Sequence, residues 1–346
     1  MIVIKIITYM WILILAVTDG FAQDVVFTQV FEQPLMVNPA YAVTKKEKSL
    51  RLNIRDQWRS YFNAPVNTYA ASYNDRFMYD KKNQTTLAYG ILALSDHFRS
   101  SSFMRNSLSC YISSMVALDE EFALAAGLYS GLVQNSFNPD RYSWGTQYNG
   151  FYYDSSLPTQ ESFPTENFFN GDIGCGMQVL LNREAFAPGQ TKWVDALAGF
   201  SMHHVNRPRY SLDKNLDDQY MRYSYEFSIS VKLWPRIKTL WFFYHSRQGQ
   251  GTLWTFGGAG FFYFDGNNSK LKSISLGYST NLNKSYFLPA AQSSLLTSNF
   301  KLEFEKWYFG FSYEYGIPEI INGKVNYFPT KGFEVAVVYY LSKENQ

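Results

Sequence analysis

From about residue 50 onward the chain alternates. Over residues 222–233, one set of alternate positions reads Tyr223, Tyr225, Phe227, Ile229, Val231 and Leu233, and the other reads Arg222, Ser224, Glu226, Ser228, Ser230 and Lys232. Successive side chains of a strand point to opposite faces of a sheet, so this period of two predicts a strand with one apolar and one polar face. Residues 307–316 repeat the pattern, with Trp307, Phe309, Phe311, Tyr313 and Tyr315 set against Tyr308, Gly310, Ser312, Glu314 and Gly316. The last segment sets Phe333, Val335, Val337 and Tyr339 against Glu334, Ala336, Val338 and Tyr340. The same reading along the chain predicts about fourteen strands: 50–58, 67–77, 85–95, 105–117, 122–134, 172–181, 192–204, 222–233, 238–247, 253–264, 271–279, 297–305, 307–316 and 331–341. Many run to about ten residues with aromatics near their ends. Strands of a β-sandwich are usually nearer five or six residues, whereas ten suits a tilted strand crossing an outer membrane between aromatic girdles.

The connections test that reading. With both termini on one side of a barrel, even-numbered connections should be short turns and odd-numbered ones are free to be long. The segments 118–121, 234–237 and 265–270 and the turn near Lys306 fall in the even set; the long segments 135–171, 205–221, 280–296 and 317–330 fall in the odd set. Two connections run against the rule: 182–191 is long for the turn side and 248–252 short for the loop side. A soluble sandwich has no reason to sort loops by parity, so the expectation is an all-β, antiparallel transmembrane β-barrel over residues 49–341, followed by a tail at 342–346.

Composition supports an exported chain. Its 27 Tyr, 29 Phe and 8 Trp outnumber its charged side chains, 31 Lys+Arg and 29 Asp+Glu. Such an aromatic content is foreign to disordered chains, and a mean hydropathy of −0.24 is too polar for a bundle of membrane helices. A net charge of +2, with no basic run beyond Lys45, Lys46 and Lys48, gives no field for nucleic acid. Lys5, the apolar run 6–17 and the small-x-small triplet Gly20-Phe21-Ala22 read as a signal peptide over 1–22, with a mature start at Gln23. Cys110 and Cys175 are too few for a disulfide framework or a structural zinc site, and are read as small apolar packing residues.

No constellation of catalytic residues emerges. His203 and His204 end a strand, where neighbours should point to opposite faces, so they read as a loop-edge pair rather than a chelate. Asp213, Asp217 and Asp218 share a loop with Lys214 and Arg209 but match no calcium-loop spacing. Gly257-Gly258-Ala259-Gly260 lies inside an aromatic strand, where glycines mark close packing more than a phosphate cradle. Arg222, Glu226 and Lys232 on the polar face either line a pore or pair within it. The chain is therefore read as a non-enzyme with no catalytic, cofactor-binding or metal residue and no cofactor.

Residues 23–48 stand apart from the strands. Pro34 and Pro39 oppose a ladder, while Phe27, Phe31, Leu35 and Tyr41 need burial, so an N-terminal arm is expected inside the barrel or against its periplasmic mouth. The arm also carries a resemblance. Gln23-Asp24-Val25-Val26-Phe27-Thr28-Gln29, followed by Gln33-Pro34-Leu35-Met36-Val37-Asn38-Pro39-Ala40-Tyr41, is similar to the opening of the PorP/SprF family of the type IX secretion system, with its Q-D-x-x-F-[ST]-Q and P-L-x-x-N-P-A. The likeness continues through Arg55-Asp56-Gln57-Trp58, Asp172-Ile173-Gly174-Cys175-Gly176, Ala198-Gly199-Phe200-Ser201-Met202-His203-His204 and Gly332-Phe333-Glu334-Val335, in the family's order. The resemblance implies an outer-membrane barrel of Bacteroidota without catalytic activity. Such a protein belongs to the secretion and gliding machinery, or accompanies an adhesin-like cargo to the surface. Its implied partners are outer-membrane lipid, periplasmic ring or peptidoglycan-binding proteins, and that cargo. The alternative from the residues alone is a porin-type channel for small solutes or lipids.

Overall fold

The computed structural model of the chain describes residues 24–44, 48–57, 65–80, 82–98, 103–119, 121–139, 142–160, 167–181, 194–209, 218–264, 270–285, 293–316, 319–321, 324–326 and 331–342. The signal-peptide reading over 1–22, the long turn-side connection 182–191, Trp58, Asp213, Lys214, Asp217 and nearly all of the 342–346 tail lie outside them.

Fourteen strands close into one barrel. In chain order these are β1 (Lys48–Gln57), β2 (Val66–Asp80), β3 (Thr85–Phe98), β4 (Phe103–Ala117), β5 (Phe122–Phe137), β6 (Asn167–Leu181), β7 (Val194–His203), β8 (Arg222–Trp234), β9 (Ile237–Gln248), β10 (Gly251–Tyr263), β11 (Leu271–Ser285), β12 (Ser293–Phe304) and β13 (Trp307–Gly316). The last barrel strand is β16 (Lys331–Ser342). A small hairpin, β14 (Glu319–Ile321) with β15 (Lys324–Asn326), stands apart from the barrel in the connection before it. Each barrel strand pairs antiparallel with its neighbour in sequence, and β16 closes the ring on β1, with Ile54 opposite Val335 and Asn53 opposite Ala336. Closure leaves no sheet edge unpaired, as a lipid-solvated sheet requires.

All fourteen expected strands are present, several longer than predicted. β11 runs to Ser285 rather than 279, and β6 begins at Asn167 rather than 172. In β11 the outer set Leu276 and Tyr278 gives way to polar Thr280, and in β6 Phe168 and Phe169 are adjacent, so the alternation that marks a strand between two media is lost there. The hairpin β14–β15 has no counterpart in the expected elements.

The radial distribution of polarity is inverted relative to a soluble protein. Along β4 and β5, Leu108, Ile112, Leu128 and Leu132 are 55%, 56%, 59% and 63% exposed, whereas Ser109 and Ser113 between them face inward and are buried. An apolar surface of this extent needs an apolar solvent. Among the described residues no helix is long and apolar enough to cross a membrane. Cys110 departs from its reading as a packing residue: it sits exposed on this outer face, because its position in β4 matches that of Leu108 and Ile112, and both cysteines are free.

We call the mouth that carries Lys48 and Ser342 the terminal mouth and the opposite one the loop mouth. The turns between β2 and β3, β4 and β5, β8 and β9, and β12 and β13 lie at the terminal mouth, and the long connection 138–166 at the loop mouth. The short loop-side connection is real: Gly249 and Gln250 alone join β9 to β10, and Gly249 takes a left-handed φ of 57°.

The barrel is not empty. Residues 24–44 lie within it as a 3-10 turn (Val30–Glu32) and two single-turn helices, α1 (Pro34–Val37) and α2 (Tyr41–Thr44). Phe27, Val30, Leu35, Tyr41 and Val43 are buried there at 4% exposure or less. Together with Leu92, Tyr111, Met115, Tyr129 and Tyr244 of the wall they form the apolar core of the molecule.

Candidate functional site

The segment enters beside the loop-mouth ends of β4, β7, β8 and β9 and descends toward the terminal mouth, held by side chains that point inward from nearly every side of the wall. At its top the Asp24 carboxylate meets His204 Nε2 at 2.5 Å, Arg222 Nη1 at 3.2 Å and Arg105 Nη1 at 3.3 Å, and accepts a hydrogen bond from Gln219 Nε2 at 2.7 Å. Its own N–H donates to Gln248 Oε1 at 2.8 Å. His204 is held from behind by Asp172, 2.9 Å from Nδ1, and Tyr129 donates its hydroxyl to the same carboxylate at 3.2 Å. Burial opposes the charge on Asp24, but His204, Arg222 and Arg105 outweigh it and hold the carboxyl well below the usual carboxylate range. Burial likewise opposes charge on His204, while Asp24 and Asp172 overcome it and raise the imidazole above its ordinary value.

One turn lower, the wall reads the backbone. Glu334 accepts the Thr28 N–H at 2.8 Å and the Gln29 N–H at 3.4 Å, and the Thr28 hydroxyl donates to Glu314. Arg55 bonds Glu314 at 2.5 Å and also donates to the Val26 carbonyl. Two buried carboxylates beside one guanidinium, with N–H groups on the remaining oxygens, is an arrangement in which each charge depends on the others. Below it, Gln33 spans Asn53 (3.0 Å) and Ser72 (2.6 Å), and Glu32 takes Lys301 and the Tyr308 hydroxyl, each at 2.6 Å. Burial works against the Glu32 charge, and Lys301 with Tyr308 brings its carboxyl below the usual value. Near the terminal mouth Arg76 donates twice to the Val43 carbonyl, at 3.0 and 2.8 Å.

The midpoint is the Asn38-Pro39 turn. Asn38 Nδ2 donates to the Met177 carbonyl (3.1 Å), the Phe200 carbonyl (3.2 Å) and Glu226 Oε1 (3.0 Å), while its Oδ1 accepts the Ala40 N–H at 3.0 Å. An Asn side chain that caps its own turn and still has its amide directed outward meets both demands at once. Gln178 donates to the same Glu226 oxygen at 2.7 Å, and the Val37 carbonyl accepts from the Ser201 hydroxyl at 2.7 Å with His203 Nε2 3.2 Å away. The wall is also recessed here. A Cβ on Gly127 would lie 2.5 Å from the Pro39 carbonyl carbon, and one on Gly176 would collide with Asn38. Only glycine lets strands β5 and β6 approach the turn this closely.

Two expectations are corrected by this geometry. His203 and His204 are not a solvated loop-edge pair: both are buried and both point inward, because His204 takes a left-handed φ of 57° just after β7 ends, which breaks the alternation. Arg222 and Glu226 neither line an open pore nor pair with each other; they engage Asp24 and Asn38 respectively. Gly257 and Gly258 do mark close packing, on Phe242 and Trp241. Asp218, alone of its acidic loop among the described residues, pairs by backbone with Arg209. The residues that seat the segment, Arg105, Gln219, Glu314 and Asn53 among them, carried no motif-like signal beyond their polarity. No cluster among the described residues has the makings of a metal site.

A family model described as "Type IX secretion system membrane protein PorP/SprF" matches residues 19–339. Among solved structures, the CymD monoaromatic hydrocarbon channel is similar with a TM-score of 0.52 at 10% identity, over 91% of this chain and 94% of that one. A deltaS2 mutant of the TodX monoaromatic hydrocarbon channel gives 0.51 at 11% identity, over 90% and 94%. A FadL homologue of Pseudomonas aeruginosa gives 0.50 at 9% identity, over 94% and 100%. At such identities the likeness is one of fold. No curated relative matches the chain.

Proposed function

The chain belongs to the PorP/SprF family of type IX secretion membrane proteins, and from that premise we propose that it is a non-enzymatic outer-membrane component of the export machinery, with a lumen closed by its own N-terminal arm. In this reading residues 1–22 are a cleaved signal peptide, 23–48 the arm, 49–341 the barrel and 342–346 a tail, and the terminal mouth faces the periplasm. The observation that carries the proposal is the seating of residues 24–44. Contacts from β1, β2, β4, β6, β7, β8, β12, β13 and β16 converge on one short peptide. A lumen filled by a buried core is not the water-filled bore of an open porin. A barrel that serves as a fixed station for other proteins gains rigidity from such a core.

The partners proposed are periplasmic ring or peptidoglycan-binding proteins at the terminal mouth and an adhesin-like cargo protein whose export or surface anchoring the chain supports. Removing the gene should leave that cargo in the periplasm; undiminished cargo on the surface of the deletion strain would refute the role. The competing reading is a porin-type channel, favoured by the polar inner faces and by the channels among its structural neighbours. Conductance of the unmodified protein in planar bilayers would establish it, and silence there would count for the plugged barrel.

A further inference from the structure

The top of the arm is held as a ligand is held. Four side chains, His204, Gln219 and Arg222 from the β7–β8 end and Arg105 from β4, converge on the one carboxylate of Asp24. His204 is itself oriented by Asp172, the kind of supporting contact that fixes a binding residue in place. Beside this cluster lies a cavity of about 80 Å³, bounded by Val25 of the arm, by Leu92, Phe98 and Phe103 on its apolar side, and by polar side chains such as Asp96 and Ser107 on the other. A single trapped water needs roughly 10–15 Å³ of such space, so the recess has room for several waters or for the added carbons of a larger side chain. Val25 leaves open a recess of mixed lining, apolar on the side of Leu92, Phe98, Phe103 and Val133, that adjoins a built carboxylate receptor.

We propose that this receptor binds, in place of residues 24–26 of the arm, a peptide segment supplied by another protein, in which an acidic residue is followed by an apolar side chain larger than Val. The basic cluster would take the carboxylate, and the larger side chain would enter the recess that Val25 leaves open. A peptide is favoured over a free amphipathic acid because the wall also reads main-chain groups here. Gln248 accepts the Asp24 N–H at 2.8 Å and Arg55 donates to the Val26 carbonyl. The tethered arm competes for the site at high effective concentration, so it sets the threshold that a ligand in trans must exceed. The inference does not depend on a role in export.

The test uses the full-length protein in detergent, wild type and Asp24→Ala, titrated calorimetrically with acetyl-Gln-Asp-Leu-Val-amide, acetyl-Gln-Asn-Leu-Val-amide, acetyl-Gln-Asp-Val-Val-amide and decanoate. The Asp-Leu peptide should bind Asp24→Ala at least tenfold more tightly than wild type. On that variant it should also bind at least tenfold more tightly than the Asn peptide and more tightly than the Asp-Val peptide. Heat-modifiable migration of the variant on gels shows that its barrel is folded; if Asp24→Ala does not fold, Asp24→Asn serves in its place. Absence of binding at millimolar peptide, equal affinity for the Asp and Asn peptides, or decanoate binding as tightly as the Asp-Leu peptide would each overturn the proposal.

Discussion

Gly127→Ala isolates the seating of the arm. An ideal Cβ at this position would stand 2.5 Å from the Pro39 carbonyl carbon, 2.6 Å from the Ala40 nitrogen and 2.7 Å from the Pro39 oxygen. All three are backbone atoms, so no rotamer change can make room, and either β5 bows outward or the Asn38-Pro39 turn lifts. Overpacking of this kind costs about 1–3 kcal/mol, which at ~1.4 kcal/mol per factor of ten raises the population of the lifted arm roughly 5- to 150-fold. Chymotrypsin reads that population directly, because Phe27, Phe31, Leu35 and Tyr41 are buried or half-buried while the arm is seated and cleavage follows the open fraction when reclosing is fast. The initial rate of arm cleavage should rise by that factor in Gly127→Ala and stay unchanged in Gly145→Ala, whose Cβ would meet nothing within 4 Å. Gly176→Ala strikes the same turn through Asn38, so the double variant should fall well short of the product of the two single effects. A folded Gly127→Ala barrel cleaved at the wild-type rate, or two effects that simply multiply, would refute the reasoning.

Other substitutions test the remaining contacts. Asn38→Asp should loosen the arm more than Asn38→Ala, because it exchanges an amide whose two N–H groups serve three acceptors for a second carboxylate about 3 Å from Glu226; arm cleavage ranks the two, and the reverse order would count against the assignment. Arg55→Met should destabilise the barrel by about 3–5 kcal/mol, since it strips the cation from the buried Glu314, and a thermal shift no larger than that of a surface substitution would refute this. Seating should also depend on pH. The depressed Asp24 carboxyl contributes stability that is present above the ordinary carboxylate pKa of about 3.9 and is lost as pH falls through its lowered value. The raised His204 contributes stability that is full below about 6.5 and is lost as pH rises through its raised value. The difference in protection of the arm amides between wild type and Asp24→Asn in hydrogen exchange, corrected for intrinsic rates, isolates this pair and should therefore be greatest between roughly pH 4 and 6.5, and a flat difference would exclude the pair as a determinant.

The barrel was legible in the sequence because two media impose a period of two on every strand, and that signal survives in segments such as Arg222–Trp234 and Trp307–Gly316. The strand ends were not, since beyond the apolar belt both faces of a strand meet polar surroundings, as where polar Thr280 follows Leu276 and Tyr278 on the outer face of β11. The direction of His204 was hidden for a different reason: one residue with positive φ reverses the face on which a side chain emerges, and nothing in His203-His204 announces it. Arg222 and Glu226 were legible as inward-facing but not as ligands of the arm, because their partners lie 198 and 188 positions away in sequence, at Asp24 and Asn38.

The motifs that mark the family gain a common meaning once the arm is in place. Asp24 of the opening motif meets His204 of the strand β7 motif, and His204 is backed by Asp172 of the strand β6 motif. Asn38 and Pro39 fill the recess at Gly176 and take the carbonyls of Met177 and Phe200, while the Val37 carbonyl takes Ser201. Arg55 of the first strand bonds the Val26 carbonyl, and Glu334 of the last receives the Thr28 and Gln29 N–H groups. Each wall motif is thus half of a contact whose other half lies in residues 24–40. Asp172, Ser201, His203, His204 and Glu334 in them, which in another setting would suggest catalysis, satisfy buried charges and backbone groups of one peptide or orient the side chains that do. What such a set of motifs specifies is a peptide-binding lumen, and a chain that keeps the wall motifs while replacing Asp24 or Asn38 should retain the barrel and lose the protection of the arm from chymotrypsin.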